Sequence, residues 1–391
     1  MAAPAPPTWP EPSPVEDPPA LRPARPRIAG IDMARALAIL GMVMVHFGPF
    51  DADEDLLSRT YRLTYGRASV LFVLLAGVGI SLLFRAKPAR EARLRIGWRV
   101  IVFFPLGVML QVLPTPVAVI LQFYALYYLV GGLVAGLPTR WLVALTAAWT
   151  VIAPLFFITI MDPSLAGRGG ADTLTDPGRV VGDLLLTGYY PLITWAPPLL
   201  VGLLVGRTDL RATATRVALA LGGAATATAA YGGAEIGRAV TGTTSDYLLA
   251  EGHTGAPLNV LGATGVAVAV LGVCLLLASA LPRVTWPVVA VGQLALTVYV
   301  THLIVLALAP EWLEGRDAAI DAVRKVARFY VITTVLCLAW RARFARGPLE
   351  ALLALPFTLT AARRAPTVSS AAPQHDQEGL EWHDRDRSTS T

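Results

Sequence analysis

Apolar blocks of about 20 residues recur along most of this chain, each long enough to cross a bilayer as a helix. That recurrence constrains the fold more than any other feature. It leaves an all-α, polytopic integral membrane bundle as the expected architecture. At 391 residues the length alone would suggest two or three soluble domains of about 150 residues. Composition argues against them: 55% of residues are apolar and 15% charged, where soluble domains run near half and a quarter. Both cysteines, Cys274 and Cys337, lie inside apolar blocks, so neither a disulfide scaffold nor a structural zinc site is expected. Walker, dinucleotide, zincin and nucleophile-elbow motifs are absent.

Block lengths predict about ten spans, near 28–49, 67–84, 96–113, 116–136, 141–160, 187–206, 213–233, 258–281, 286–309 and 326–342. The sixth holds Pro191, Pro197 and Pro198 and is expected to be kinked or broken. A short amphipathic stretch is expected at the surface near 349–359. Residues 1–27 read as a proline-rich disordered cytoplasmic tail, not a signal peptide, and 365–391 as a polar disordered tail. Between them lie a transmembrane domain, 28–345, and a basic, amphipathic juxtamembrane segment, 346–364. His375 and His383 fall in the last tail and are not expected in catalysis.

With the N-terminus placed in the cytoplasm, the inner loops hold roughly twice the Lys and Arg of the outer ones. N-in, C-in and a multi-pass location in the cytoplasmic membrane follow as expectations. The net charge of +5 then reads as a topology signal, with no nucleic-acid partner implied.

The first span carries Asp32, Arg35 and His46, and polar groups in a membrane helix need a reason. Arg35 and His46 are 11 steps apart, about 20° past complete turns, and Asp32 lies about 40° from His46 on the other side. All three share one stripe, with Arg35 near the cytoplasmic end and His46 about 16 Å further along. An arginine at that end could bind an anionic nucleotide, and a pantetheine arm has about that reach. Histidine is the side chain suited to take and return a proton near neutral pH. The bland alternative is a self-neutralising Asp32–Arg35 pair and a histidine capping the outer end.

Other candidates divide in the same way. His302, at a depth similar to His46, is either a second proton-transfer group or a side chain snorkelling to the interface. The basic run 85–99 either recognises phosphates, with Arg93 and Arg99 nearest the third span, or is ordinary positive-inside charge. Gln111, Gln122 and Tyr124 either line a polar channel or hydrogen-bond between helices. Gly77 and Gly79 allow close helix packing or the approach of a thin ligand. Trp195, beside Pro197 and Pro198, marks irregular backbone suited to the wall of a cavity. Residues 51–55 read as a solvated acidic loop.

Five stretches in order carry a family resemblance: GIDMARALAILGMVMVH, GRASVLFVLLAGVGISLLF, RAKPAREARLRIGWR, YPLITWAPPLLVGLLVGRTDL and GQLALTVYVTHLIVL. Together they resemble the transmembrane acyltransferase superfamily over roughly 28–345. The wording of the first is most similar to the heparan-alpha-glucosaminide N-acetyltransferase catalytic domain and the YeiB family, which are related to acyltransferase 3. The resemblance implies transfer of an acyl group, with acetyl as the expected one, from acyl-CoA to a carbohydrate or glycolipid acceptor. Acetyl-CoA would be a co-substrate, with no permanently bound cofactor or metal. Arg35, Arg93 and Arg99 would bind CoA, His46 would act as base with Asp32 and His302 assisting, and Trp195 and Tyr299 would meet the acceptor. The loop after the first span has no histidine, so direct transfer is expected rather than an acyl-histidine. The competing expectation is a transporter or flippase for a lipid or acidic solute, with the same stripe as its relay. Oligomeric state is left open.

Overall fold

The computed structural model describes residues 27–47, 63–160, 177–243, 245–309 and 319–364. The expectations for the two tails and for residues 51–55 therefore lie outside the described residues. All regular structure among the described residues is helical. The chain runs through α1 (Ala29–Phe47), α2 (Arg67–Ala86), α3 (Ala89–Gln111), α4 (Leu121–Val134), α5 (Thr139–Ile160), short α6 (Pro177–Gly182) and α7 (Leu192–Val205). It continues through α8 (Thr213–Thr241), α9 (Pro257–Ala280), α10 (Pro282–Gln293), α11 (Ala295–Leu308), α12 (Ala319–Arg343) and α13 (Pro348–Arg364).

Six helices, α1, α2, α3, α5, α8 and α9, are each long and apolar enough to cross a membrane. Two more crossings are bent pairs, one running from Gly178 to Val205 through a 56° bend and one formed by α10 and α11 at 67°. That gives six to eight crossings, and ten requires α4 and α12 as well. α4 is 14 residues long, shorter than a bilayer needs. α12 carries Arg324, Lys325 and Arg328 near one end and Arg341 and Arg343 at the other. Large apolar side chains face outward on several helices, including Met109, Val151, Leu221, Ile236 and Leu336. A soluble monomer rarely exposes so much apolar surface, and lipid is its natural cover. The chain is a multi-pass membrane protein.

The sixth expected span does break, but not at Pro197 or Pro198, which α7 takes into its interior. The break lies at 188–191, after a π turn (Asp183–Thr187), and Pro191 serves as the N-cap of α7. The fourth expected span, 116–136, is helical only in α4. Its approach is irregular and buried: Val119 and Ile120 have almost no exposed surface. Such backbone survives at depth only if its polar groups are paired. Gln111 does this, accepting from Val119 N at 2.9 Å and donating to Val117 O at 3.4 Å. The Tyr299 hydroxyl accepts from Ile120 N at 3.2 Å. Gln111 is thus a structural side chain, the hydrogen-bonding alternative of the two expected.

Close helix contact fixes the core. A Cβ at Gly77 of α2 would sit 2.1 Å from Leu199 O of α7, and one at Gly202 of α7 would sit 2.1 Å from Leu74 O of α2. Gly77 is therefore a packing glycine, whereas a Cβ at Gly79 would meet only the Arg35 guanidinium, at 3.7 Å. Gly292 of α10 lies against α1 so tightly that its Cβ would fall 1.7 Å from Asp32 O.

The loops sort into two ends. At one, Arg85 donates to Gly206 O and Thr208 O, and Arg207 donates to Ala135 O, Leu137 O and Thr139 Oγ1. Two arginines thus clasp the α2–α3, α4–α5 and α7–α8 loops. At the other, Gly66 before α2 meets Gly252 before α9. The C-terminal α13 packs on the arginine end, with Trp98 donating to Leu352 O and Arg95 over the Phe357 ring at 4.2 Å.

Candidate functional site

The first helix keeps its polar stripe. Arg35 Nη1 donates to Asp32 Oδ1 at 2.7 Å across one turn, with Asp32 buried and the Arg35 side chain 32% exposed. The carboxylate thus sits inside while the guanidinium keeps one side open. Arg35 also acts electrostatically on Tyr124, whose ring lies 5.8 Å from Tyr128. Arg99 lies over that Tyr128 ring at 5.5 Å. Two tyrosines of α4 therefore stand between Arg35 and Arg99. Arg93, six residues earlier on α3, is exposed.

At the far end of α1, His46 meets His302 of α11. His46 Nδ1 and His302 Nε2 are 3.2 Å apart, with rings stacked at 5.4 Å and 8°. His302 has no exposed surface, whereas His46 is only part-buried. Tyr299, one turn before His302, sits edge-on to its ring at 5.2 Å, and its hydroxyl holds the irregular approach to α4. Two histidines 256 positions apart in sequence thus share one hydrogen bond at the end of the bundle opposite the arginine clasp. Snorkelling does not describe His302, which is packed inside.

Trp195 takes a different neighbour. It stands at the start of α7, 4.9 Å from Tyr190 and 5.6 Å from the ring of His253. His253 was not singled out by sequence reasoning. It lies in a short polar loop, where a histidine reads as solvated. The available signal was the segment Gly252-His253-Thr254-Gly255, glycines on both sides just ahead of a span. Arg67, at the start of α2, lines one small cavity together with Trp195 and His253. The site residues therefore form three groups: Asp32 with Arg35, then His46 with His302 and Tyr299, then Trp195 with His253. Among the described residues no cluster of three or more His, Cys, Asp or Glu side chains could hold a metal.

Known families were compared on this footing. The model of heparan-alpha-glucosaminide N-acetyltransferase, catalytic, matches residues 27–238, more than half of the chain. That stretch holds Asp32, Arg35, His46, Arg93, Arg99 and Trp195. A second model, protein of unknown function (DUF418), matches residues 205–355 and holds His253, Tyr299 and His302. No curated protein matches the chain.

Proposed function

Because the chain belongs to the heparan-alpha-glucosaminide N-acetyltransferase catalytic family, we propose that it moves an acetyl group from acetyl-CoA to a carbohydrate or glycolipid of the cell envelope. The observation that carries this reading is the His46–His302 pair, two imidazoles in hydrogen-bond contact inside a membrane bundle. One ring must donate and the other accept. His302 Nδ1 is buried and has no hydrogen-bond partner, so no neighbour fixes the tautomer of this ring. In the tautomer this reaction uses, Nδ1 carries the proton of His302. Its Nε2 then accepts from His46 Nδ1–H, and His46 Nε2 is left with a free lone pair. That nitrogen is the general base.

In this reaction His46 Nε2 takes the proton of the acceptor hydroxyl as its oxygen attacks the thioester carbonyl. The tetrahedral intermediate collapses, the C–S bond breaks, and the thiolate takes the proton from His46 Nε2 and leaves as CoA, which restores the base. His302 holds the tautomer and orientation of His46, much as a third group orients the base in other acyl transfers. Arg35 and Arg99, with the tyrosines between them, bind the anionic part of CoA from the arginine end. Asp32 holds Arg35 in place. Arg93 adds a peripheral contact, and Tyr299 borders the acyl group beside His302.

The transporter reading has one observation in its favour, the two bent helix pairs. In inverted-repeat transporters broken helices occupy matching positions of two halves. Here they are the sixth and ninth apolar segments in order, which do not match. Proteoliposomes with labelled acetyl-CoA separate the readings. Acetyl transfer that His46→Ala abolishes supports the enzyme. Gradient-coupled flux without acyl-CoA, or His46→Ala turnover equal to wild type, refutes it.

A further inference from the structure

The C-terminal helix carries an apolar face that points away from the bundle. α13 packs inward through Leu349, Leu353 and Phe357, the last beneath Arg95 at 4.2 Å. Leu352, Leu355 and Leu359 point the other way, 38%, 47% and 54% exposed. At 100° per residue these three fall within about 60° of arc, centred about 130° from the inward face. Residues 351–362 carry no charge. A helix bathed in water on that side would place charged and polar residues there.

Depth is set by α3. α13 touches it at Arg95 and at Trp98, whose indole donates to Leu352 O at 3.1 Å. The charged opening of α3, residues 89–95, gives way there to apolar text, and Arg99 is the one charged residue over 96–111. α13 therefore lies where the bilayer surface meets the bundle, beside a tryptophan of the kind that collects at that level.

Charge selects the surface that covers the leucines. The turn into α13 is closed by Trp340, which donates to Arg346 O at 2.8 Å, and it leaves Arg343 and Arg346 exposed. Neither arginine is in an ion pair among the described residues. Glu350, the acidic residue of α13, is engaged elsewhere: it accepts from Leu296 N and Thr297 N at the start of α11. Exposed guanidiniums beside an uncharged leucine face match a leaflet of acidic phospholipid, with leucines in the acyl boundary and guanidiniums on phosphates.

We propose that α13 is an interfacial helix that docks on acidic lipid at the arginine end, with Leu352, Leu355 and Leu359 in the acyl boundary and Arg343 and Arg346 on headgroup phosphates. The docked helix holds the start of α11 through Glu350, and six residues along α11 stands His302, the partner of His46. Acidic lipid is thus an activator. The lipid contact rests on the geometry alone, whereas the effect on turnover rests on the acyltransferase reading.

Bimane attached at Leu355→Cys tests the contact in the full chain, whose native Cys274 and Cys337 are buried. The protein is placed in nanodiscs of phosphatidylglycerol or phosphatidylcholine with brominated acyl chains. Each arginine near an acidic surface is worth about fivefold in partition, so quenching should be strong in phosphatidylglycerol and at least twofold weaker in phosphatidylcholine. Arg343→Gln with Arg346→Gln should bring the first value down to the second, with the melting temperature in detergent unchanged. A label unquenched in both lipids puts the face against water or protein and overturns the docking. Equal quenching in both, or a double variant that behaves as wild type, overturns the charge selection. Acetyl-CoA turnover in proteoliposomes should be at least threefold higher in phosphatidylglycerol. Glu350→Ala should remove that ratio and leave the quenching in place. Equal wild-type turnover in the two lipids, or a ratio that Glu350→Ala keeps, overturns the coupling to α11. Quenching without turnover in either lipid sinks the acyltransferase reading and leaves the lipid site, whereas turnover without quenching does the reverse.

Discussion

On the proposed mechanism the two histidines that meet do unequal work, and substitution should show it. His46→Ala removes the base itself and should cut turnover by about 10²–10⁴-fold with acetyl-CoA affinity unchanged. His302→Gln keeps an acceptor for His46 Nδ1–H and should cost less, moving the acidic limb of the kcat/KM pH profile more than its height. Equal losses from both, with no change in the profile, would refute the division of roles. His253 makes a separate statement through stability. Its folded pKa, about 4, lies below the ordinary 6.5. As pH falls the unfolded chain therefore binds that proton first. Its contribution is complete above about pH 6.5, is lost as pH falls to about 4, and changes no further below. The span corresponds to roughly 3 kcal/mol at most. Melting curves across that range should show the decline in wild type and a shallower one in His253→Gly; parallel curves would disprove the assignment. The sequence made His46 legible because Asp32, Arg35 and His46 obey helical spacing on one apolar element. It could not show that His302 lands on His46, since nothing local links residues 256 apart. His253 was illegible because its burial comes from four rings on other segments.

The elements show where hydropathy is informative and where it stops. Continuous apolar text marked α1, α2, α5 and α9 because membrane helices satisfy their own backbones. The same text over 112–120 is irregular, because Gln111 and Tyr299 supply the missing partners. Pro114 and Pro116 were the local hint. The 67° bend between α10 and α11 had no such hint, as its cause lies 50 residues on. Glu350 of α13 accepts from Leu296 N at 2.7 Å and Thr297 N at 3.2 Å, and the Thr297 hydroxyl donates to it at 2.7 Å. A carboxylate from another helix thus caps the start of α11, where free N–H groups and the helix dipole favour negative charge. Because α11 carries Tyr299 and His302, Glu350→Ala should cost about 1–2 kcal/mol of stability and lower turnover, with acetyl-CoA affinity intact. Unchanged stability and activity would mean the cap does not hold the bend. Helix contacts give a paired test. Gly292→Ala places a methyl 1.7 Å from Asp32 O and should unseat α10 from α1. Gly232→Ala, inside α8 with nothing within 4 Å, should be neutral or stabilising by about 0.5–1 kcal/mol. Equal melting temperatures for the two would show that the α1–α10 contact is slack.

For the whole molecule, the proposed reaction puts donor and acceptor on opposite sides of a membrane, which requires that the two ends differ chemically. One end is held by Arg85 and Arg207 across three loops, and the other by Gly66, Gly252 and the ring box around His253. Positive charge gathers at the first, and the orientation we propose puts that end in the cytoplasm with the N-terminus. In that orientation acetyl-CoA would reach Arg35 from the side where it is made, and His46 would lie about 16 Å further along α1 toward the outer face. Single cysteines test this cleanly, because the native Cys274 and Cys337 are buried. Thr243→Cys, exposed in the α8–α9 loop, should react with a membrane-impermeant maleimide on intact cells. Leu137→Cys, in the clasped α4–α5 loop, should react only after permeabilisation. The reverse pattern would put the arginine end outside. Arg35 would then face a compartment without its donor, and the roles assigned to the two ends of α1 could not both stand.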